Sequence, residues 1–174
     1  MPWTISDPIK LYHGTDLSSA QALDSGKSPI QLFDGRRLTD FGRGFYATTN
    51  LHQAKNWANL RAQRLFHQGK RQPAAVLEFQ LPWTALGGLT CVSYVVEGAL
   101  TSDFWRLVTT CRAGRIGDPP PYDVVFGPVT LWPQTLILKD CDQISFHSLN
   151  AINALGAPSR GYDAGSANIL FVIT

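Results

Sequence analysis

Short apolar or alternating runs, each broken within a few residues by Gly, Pro, Asn or Asp, recur along this chain from one end to the other. Residues 9–13, 45–48, 75–81, 90–96, 122–129, 142–147 and 169–173 are brief and carry the Val, Ile, Phe and Tyr that suit a pleated, half-buried surface, so they read as strands. Helical patterns are fewer and do not alternate regularly with these runs. That combination predicts an α+β fold with a mixed or antiparallel sheet core and a few flanking helices, and it argues against a doubly wound parallel sheet.

Local signals place the remaining elements. Gly14, Thr15 and Asp16 end the first strand, and Asp16 or Ser18 caps a helix over 20–24 that Ser25-Gly26 terminates. Residues 29–37 are loop-like, with Ile30, Leu32 and Phe33 as anchors. Thr49 or Asn50 caps a helix reaching about Gln68. Its core face would hold Leu51, Ala54, Trp57, Ala58 and Leu65, leaving Lys55, Arg61 and Arg64 on a solvated basic face. The strict alternation of 75–81 predicts a strand with one polar face. Thr101, Ser102 and Asp103 open a helix through 104–108, residues 112–121 form a loop, and Gly127-Pro128 stops the strand that begins at Tyr122. Residues 133–138 are a short helix or an irregular segment, and Ser148 or Asn150 caps a last short helix ending at Leu155. One domain is expected over 1–155. Residues 156–174 would be a Gly/Ser-rich linker and an apolar end that pairs as an edge strand or against a partner.

A length of 174 residues suffices for one domain with a sizeable core. The formal net charge of +2 gives no electrostatic footprint for nucleic acid. Cys91, Cys111 and Cys141 are widely spaced and read as buried, reduced thiols. His52 and His147 have no partners at metal-ligand spacing, so no metal is expected. No apolar run approaches a membrane span, and Met1-Pro2-Trp3-Thr4 lacks a Sec-type signal. The expected location is the cytoplasm, or a target cell reached without such a signal, with no membrane partner.

Chemistry concentrates around Asp40-Phe41-Gly42-Arg43-Gly44-Phe45-Tyr46. Two glycines flanking an arginine allow a sharp turn or a close backbone approach, and Phe45 and Tyr46 must then point to opposite faces of an extended segment. Either ring could line a cleft while the other enters a core. The run is no dinucleotide fingerprint, since it lacks the third glycine and precedes its strand. Considered singly, His13 reads as a strand-end histidine satisfied by backbone and Gln143 as a solvent-facing strand residue.

Together with Tyr12-His13-Gly14-Thr15 and Gln143, this turn resembles the ADP-ribosyltransferase superfamily, in its diphtheria-toxin-like and poly(ADP-ribose)-polymerase-like branch. The nearest likeness is to a small bacterial group sharing Leu-Tyr-His-Gly, Asp-Phe-Gly-x-Gly-Phe-Tyr, Gln-Ala-x-x-Trp-Ala, Tyr-Asp-x-Val-x-Gly-Pro-Val and Asp-Gln-Ile-Ser-Phe-His. All five occur here in order, over about residues 10 to 155. The resemblance implies a split sheet binding NAD+ as co-substrate. His13 would hold the adenosine ribose, the Gly14 backbone the carboxamide, and Tyr46 the nicotinamide ring, with Thr15, Arg43 and Gly44 lining the cofactor site. Gln143 would meet the nicotinamide-ribose hydroxyl while the glycosidic bond breaks through an oxocarbenium-like state. It replaces the glutamate of much of the superfamily and cannot act as a base. Asp103, Glu97 and Asp123 are supplementary acids without a distinguishing spacing. The activity implied is mono-ADP-ribosylation of a macromolecule, protein rather than nucleic acid, by a bacterial toxin or effector restrained by an antitoxin or immunity protein. NAD+ hydrolysis and a catalytically weak NAD+- or ADP-ribose-binding module are the alternatives.

Overall fold

The computed structural model describes residues 7–25, 30, 38–95, 102–117 and 120–158, together with the backbone of 169–173. These form an α+β arrangement with two sheets and four α-helices. The contacts divide into two compact units whose segments interleave along the chain. The first comprises Met1–Thr4, Gln31–Tyr46 and Leu86–Ala154, and the second Ile5–Ile30, Ala47–Ala85 and Leu155–Thr174.

The second unit contains an antiparallel sheet in the order β1 (Ile9–Asp16), β3 (Ala74–Leu81), β7 (Ile169–Ile173). The apolar end of the chain therefore pairs within the molecule, against β3. Being central, β3 is buried on both faces and only Gln80 is exposed, so the expected polar face is absent. Strand β1 runs through Gly14 to Asp16 rather than stopping at Gly14. Asp16 caps α1 (Leu17–Asp24), its side chain accepting from Ser19 N, and Asn50 caps α2 (Leu51–His67) by accepting from Gln53 N. Ala54 and Ala58 bury α2 in a cluster with Ala74 and Val76, joined by Tyr12 and Leu51, while Trp57 is half-buried. Small side chains allow this helix to lie close to the sheet.

In the first unit the sheet order is β2 (Phe45–Ala47), β6 (Ile137–Phe146), β5 (Val124–Thr130), β4 (Cys91–Ser93). The β5–β6 pair is antiparallel and the β4–β5 pair parallel, which makes the sheet mixed. Strand β5 passes through Gly127-Pro128, the expected stop. A Cβ on Gly127 would lie 2.8 Å from Phe41 Cζ, so the glycine makes room for a core ring. The register shift between Pro128 and Thr130 absorbs the irregularity around the proline. Helix α3 (Ser102–Arg112) buries Phe104, Val108 and Cys111. Phe104 and Val108 cluster with Phe41, Tyr122 and Val125. Helix α4 (Leu149–Leu155) starts at Ser148, whose Oγ accepts from Ala151 N. The predicted anchors Leu32 and Phe33, the acid Glu97 and most of the linker lie outside the described residues.

Candidate functional site

In the first unit, the turn 40–46 and the end of β6 are tied together by one buried carboxylate. Asp40 is only 2% exposed. Its Oδ1 accepts from Thr130 Oγ1 at 2.6 Å and Arg112 Nε at 2.8 Å. Its Oδ2 accepts from Thr130 N at 3.0 Å and Gln143 Nε2 at 2.6 Å. The guanidinium of Arg112 also donates to the Leu38 carbonyl. A carboxylate leaves water only with such compensation: a cation, and a donor for each oxygen.

Gln143 is thus an interior residue, 5% exposed, and not a solvent-facing strand residue. Its Nε2 donates to Asp40 Oδ2 and, at 2.9 Å, to the Pro128 carbonyl. Both partners are acceptors only, which fixes the face of the amide that carries hydrogen. Both hydrogens are committed, and Oε1 is left as the oxygen able to accept from a further donor.

Tyr46 turns its hydroxyl inward. The phenol donates to the Gly42 carbonyl at 2.6 Å, accepts from Phe41 N at 3.2 Å and lies 2.8 Å from Thr39 Oγ1. Burial pushes the phenol well above its usual range, so it stays protonated. The ring is half-buried, while Phe45 is 7% exposed and packs near Phe146, so Phe45 is the core ring of the pair. Gly42 has φ +88°, a conformation that other residues adopt at a cost. Gly44 serves a different need, since a Cβ there would meet the Phe146 carbonyl at 2.6 Å and His147 Nδ1 at 2.8 Å. Tyr46→Phe should keep the ring but strand the Phe41 N–H, lowering stability by about 1–3 kcal/mol in denaturant melts. A variant as stable as wild type would show that the phenol does not hold the turn.

His147 anchors the same turn through the Arg43 carbonyl. It is 2% exposed, 2.6 Å from the Arg43 carbonyl through Nδ1 and 2.7 Å from Ser145 Oγ through Nε2. Because a carbonyl only accepts, Nδ1 carries the proton and Nε2 accepts from the serine. The ring packs edge-on to Tyr46 and Tyr122. Burial lowers its pKa from 6.5 to about 4, against the opposing pull of the Arg43 carbonyl. The unfolded chain therefore takes up this proton first, and the contribution is intact above the ordinary value and lost as pH falls from there towards 4. The loss should reach about 3 kcal/mol by pH 4. His147→Asn, which can still donate to Arg43, should be less stable at pH 7 but lack this part of the acid slope. Equal slopes in pH-dependent urea titrations would contradict the assignment.

The second unit holds the other predicted residues on β1. Tyr12 N donates to the Thr48 carbonyl at 2.8 Å and Thr48 N to the Tyr12 carbonyl at 3.0 Å, so these Tyr12 groups face away from β3. Strand alternation turns the N–H and C=O of Gly14 to that same edge, two residues on. A Cβ on Gly14 would lie 2.1 Å from the Ala54 carbonyl oxygen, so the side-chain position of Gly14 is filled by α2. His13 projects to the opposite face and is half-buried, whereas Thr15 is 3% exposed and presents little side-chain surface to a ligand.

A family model described as "Protein of unknown function (DUF3990)" matches residues 9–131, over half of the chain. The chain belongs to the DUF3990 family. A search of curated proteins found no match. The span shared with DUF3990 includes His13, Gly14, Asp40 and Tyr46 and ends before Gln143.

Several roles in this DUF3990 chain escaped sequence reasoning. Asp40 opens the Asp-Phe-Gly-x-Gly-Phe-Tyr run, but nothing local marks an acid as buried. Arg61, expected on a solvated face, pairs with Asp16 at 2.6 Å. Burial would raise the Asp16 carboxyl, yet hydrogen bonds from Ser19, Ser18 and Arg61 outweigh it and hold the carboxyl well below its usual range. Asp103 is exposed and paired with Arg106, while Asp123 accepts from Thr90 N and Ser148 Oγ. Cys111 is buried, but Cys91 is exposed and Cys141 intermediate, so only one thiol meets the expectation of burial. Among the described residues, no group of three or more His, Cys, Asp or Glu is placed to hold a metal, and no helix is long and apolar enough to cross a membrane.

Proposed function

We propose that this chain transfers a single ADP-ribose from NAD+ to a macromolecular acceptor, with a protein as the favoured acceptor. The observation that carries the reading is that one turn governs both groups the chemistry asks for. Residues 40–46 supply the Tyr46 ring, pinned through its hydroxyl, and the carboxylate that binds the Gln143 amide. A half-buried tyrosine face suits a flat cationic nicotinamide. A fixed Oε1 suits a ribose hydroxyl as the C1′–N bond breaks and its electron pair leaves with nicotinamide. The acceptor's lone pair then closes on C1′, and its proton passes to solvent.

The second unit supports the same reading through β1. The edge-facing N–H and C=O of Gly14 form a donor and acceptor pair that matches a carboxamide. His13 lies beside them on the strand, as a ribose ligand in the resembled superfamily would.

Incubation with adenine-labelled NAD+ and a cell lysate tests the proposal. Label entering protein, and lost in Gln143→Ala, is the expected result. Free ADP-ribose without transfer would replace the reading with hydrolysis. Intact NAD+ that raises the melting temperature would replace it with a binding module.

A further inference from the structure

The geometry points to Asp40 as the positioning residue of this site: its carboxylate, held by Arg112 and Thr130, orients the Gln143 amide so that Oε1 faces the ribose hydroxyl of NAD+. The inference rests on the transferase reading and adds to it a reason why glutamine suffices where a glutamate is expected. A glutamine amide has two nearly isosteric orientations, and only one presents an acceptor. Here the choice is made by two acceptors on one side, Asp40 Oδ2 at 2.6 Å and the Pro128 carbonyl at 2.9 Å.

The contact with Asp40 is charge-assisted, hence stronger than an amide–carbonyl bond, and it polarises the amide so that more negative charge resides on Oε1. The site thus gains part of the character of a carboxylate without holding a free one beside the reacting sugar. Asp40 does not touch the substrate in this account. Its effect passes through one amide group, and its own placement is secured from β5 by both donors of Thr130 and from α3 by Arg112.

The test uses the full chain. Asp40→Asn removes the charge and brings an amide face against the Gln143 amide, so Gln143 should rotate. NAD+ consumption should fall about 100-fold in kcat, the scale of a misplaced reacting group, with little change in KM. In a Gln143→Ala background the same substitution should cost almost nothing, because its route of action is gone. Equal losses in both backgrounds would overturn the inference and leave Asp40 with a folding role only. Where Asp40→Asn fails to fold, the side-chain amide signal of the wild type carries the test.

One readout needs no turnover. In heteronuclear spectra the Gln143 side-chain amide, identified by its disappearance in Gln143→Ala, should exchange slowly with solvent and shift on Asp40→Asn. A fast-exchanging amide that ignores Asp40→Asn overturns the inference even if NAD+ is consumed. A slow, shifted amide in a protein inert towards NAD+ supports the carboxylate–amide pair and overturns the transferase reading instead.

Discussion

Alanine at position 14 should destabilise the chain by about 3 kcal/mol or more, at or beyond the upper end of ordinary overpacking. The new methyl would sit 2.1 Å from the Ala54 carbonyl oxygen and 2.9 Å from the Ala58 amide nitrogen. Both are backbone atoms of α2, and neither can rotate away as a side chain would. Relief requires the helix to lift from β1, which opens the alanine-lined contact around Ala54, Ala58 and Val76. For a chain of this size the melting temperature should fall by roughly 6–12 °C. Lys10→Ala, at an exposed position of the same strand, should change stability by no more than about 0.5 kcal/mol. If Gly14→Ala were equally silent, the close approach of α2 to β1 would be wrong. The glycine also matters to the proposed function, which has its backbone edge meet the carboxamide of NAD+. Lost NAD+ turnover in Gly14→Ala would therefore report helix displacement as much as a lost ligand contact, and it is not a clean test of the site.

Asp40→Ala should cost about 3–5 kcal/mol, the range for breaking a buried ion pair by removing one partner. The loss has several parts in the structure: the Arg112 guanidinium keeps its place without a counter-charge, the Thr130 N–H and hydroxyl both lose their acceptor, and one Gln143 hydrogen is unpaired. Asp40→Leu with Arg112→Met removes both charges and should be less destabilised than the sum of the single changes, because no charge is left stranded. Urea melts of the wild type, the double variant, its two single variants and Asp40→Ala decide this. A cost below about 1 kcal/mol for Asp40→Ala would mean that the carboxylate is not the tie between the turn and β6.

These two residues also show how far the sequence could be read. Helix starts were legible because capping is local: Asp16, Asn50 and Ser148 each accept from an amide three residues on. The α+β class followed from strand-length runs. The two-faced burial of β3 did not, because the polar residues of an alternating strand show their environment only once neighbours are paired on both edges. Gly127-Pro128 was misread as a stop for a similar reason, since the ring that needs Gly127 comes from Phe41, far away in sequence.

At the candidate site, the residue types were visible but their connections were not. Asp40 meets Arg112, Thr130 and Gln143 across sequence separations of 72, 90 and 103 residues. His147 reaches the Arg43 carbonyl across 104. No periodicity or spacing rule spans such distances. Gly14 was picked out for its backbone, and the structure adds the packing of α2 as a second demand on the same position.

Nicotinamide release from NAD+ by the purified protein, followed with and without acceptor-containing lysate, is the direct measure of ADP-ribose transfer. Transfer requires release by the wild type, a large loss in Gln143→Ala and Tyr46→Ala, and faster release when acceptor is present. Absence of nicotinamide under all these conditions, or release unchanged in both variants, would contradict it.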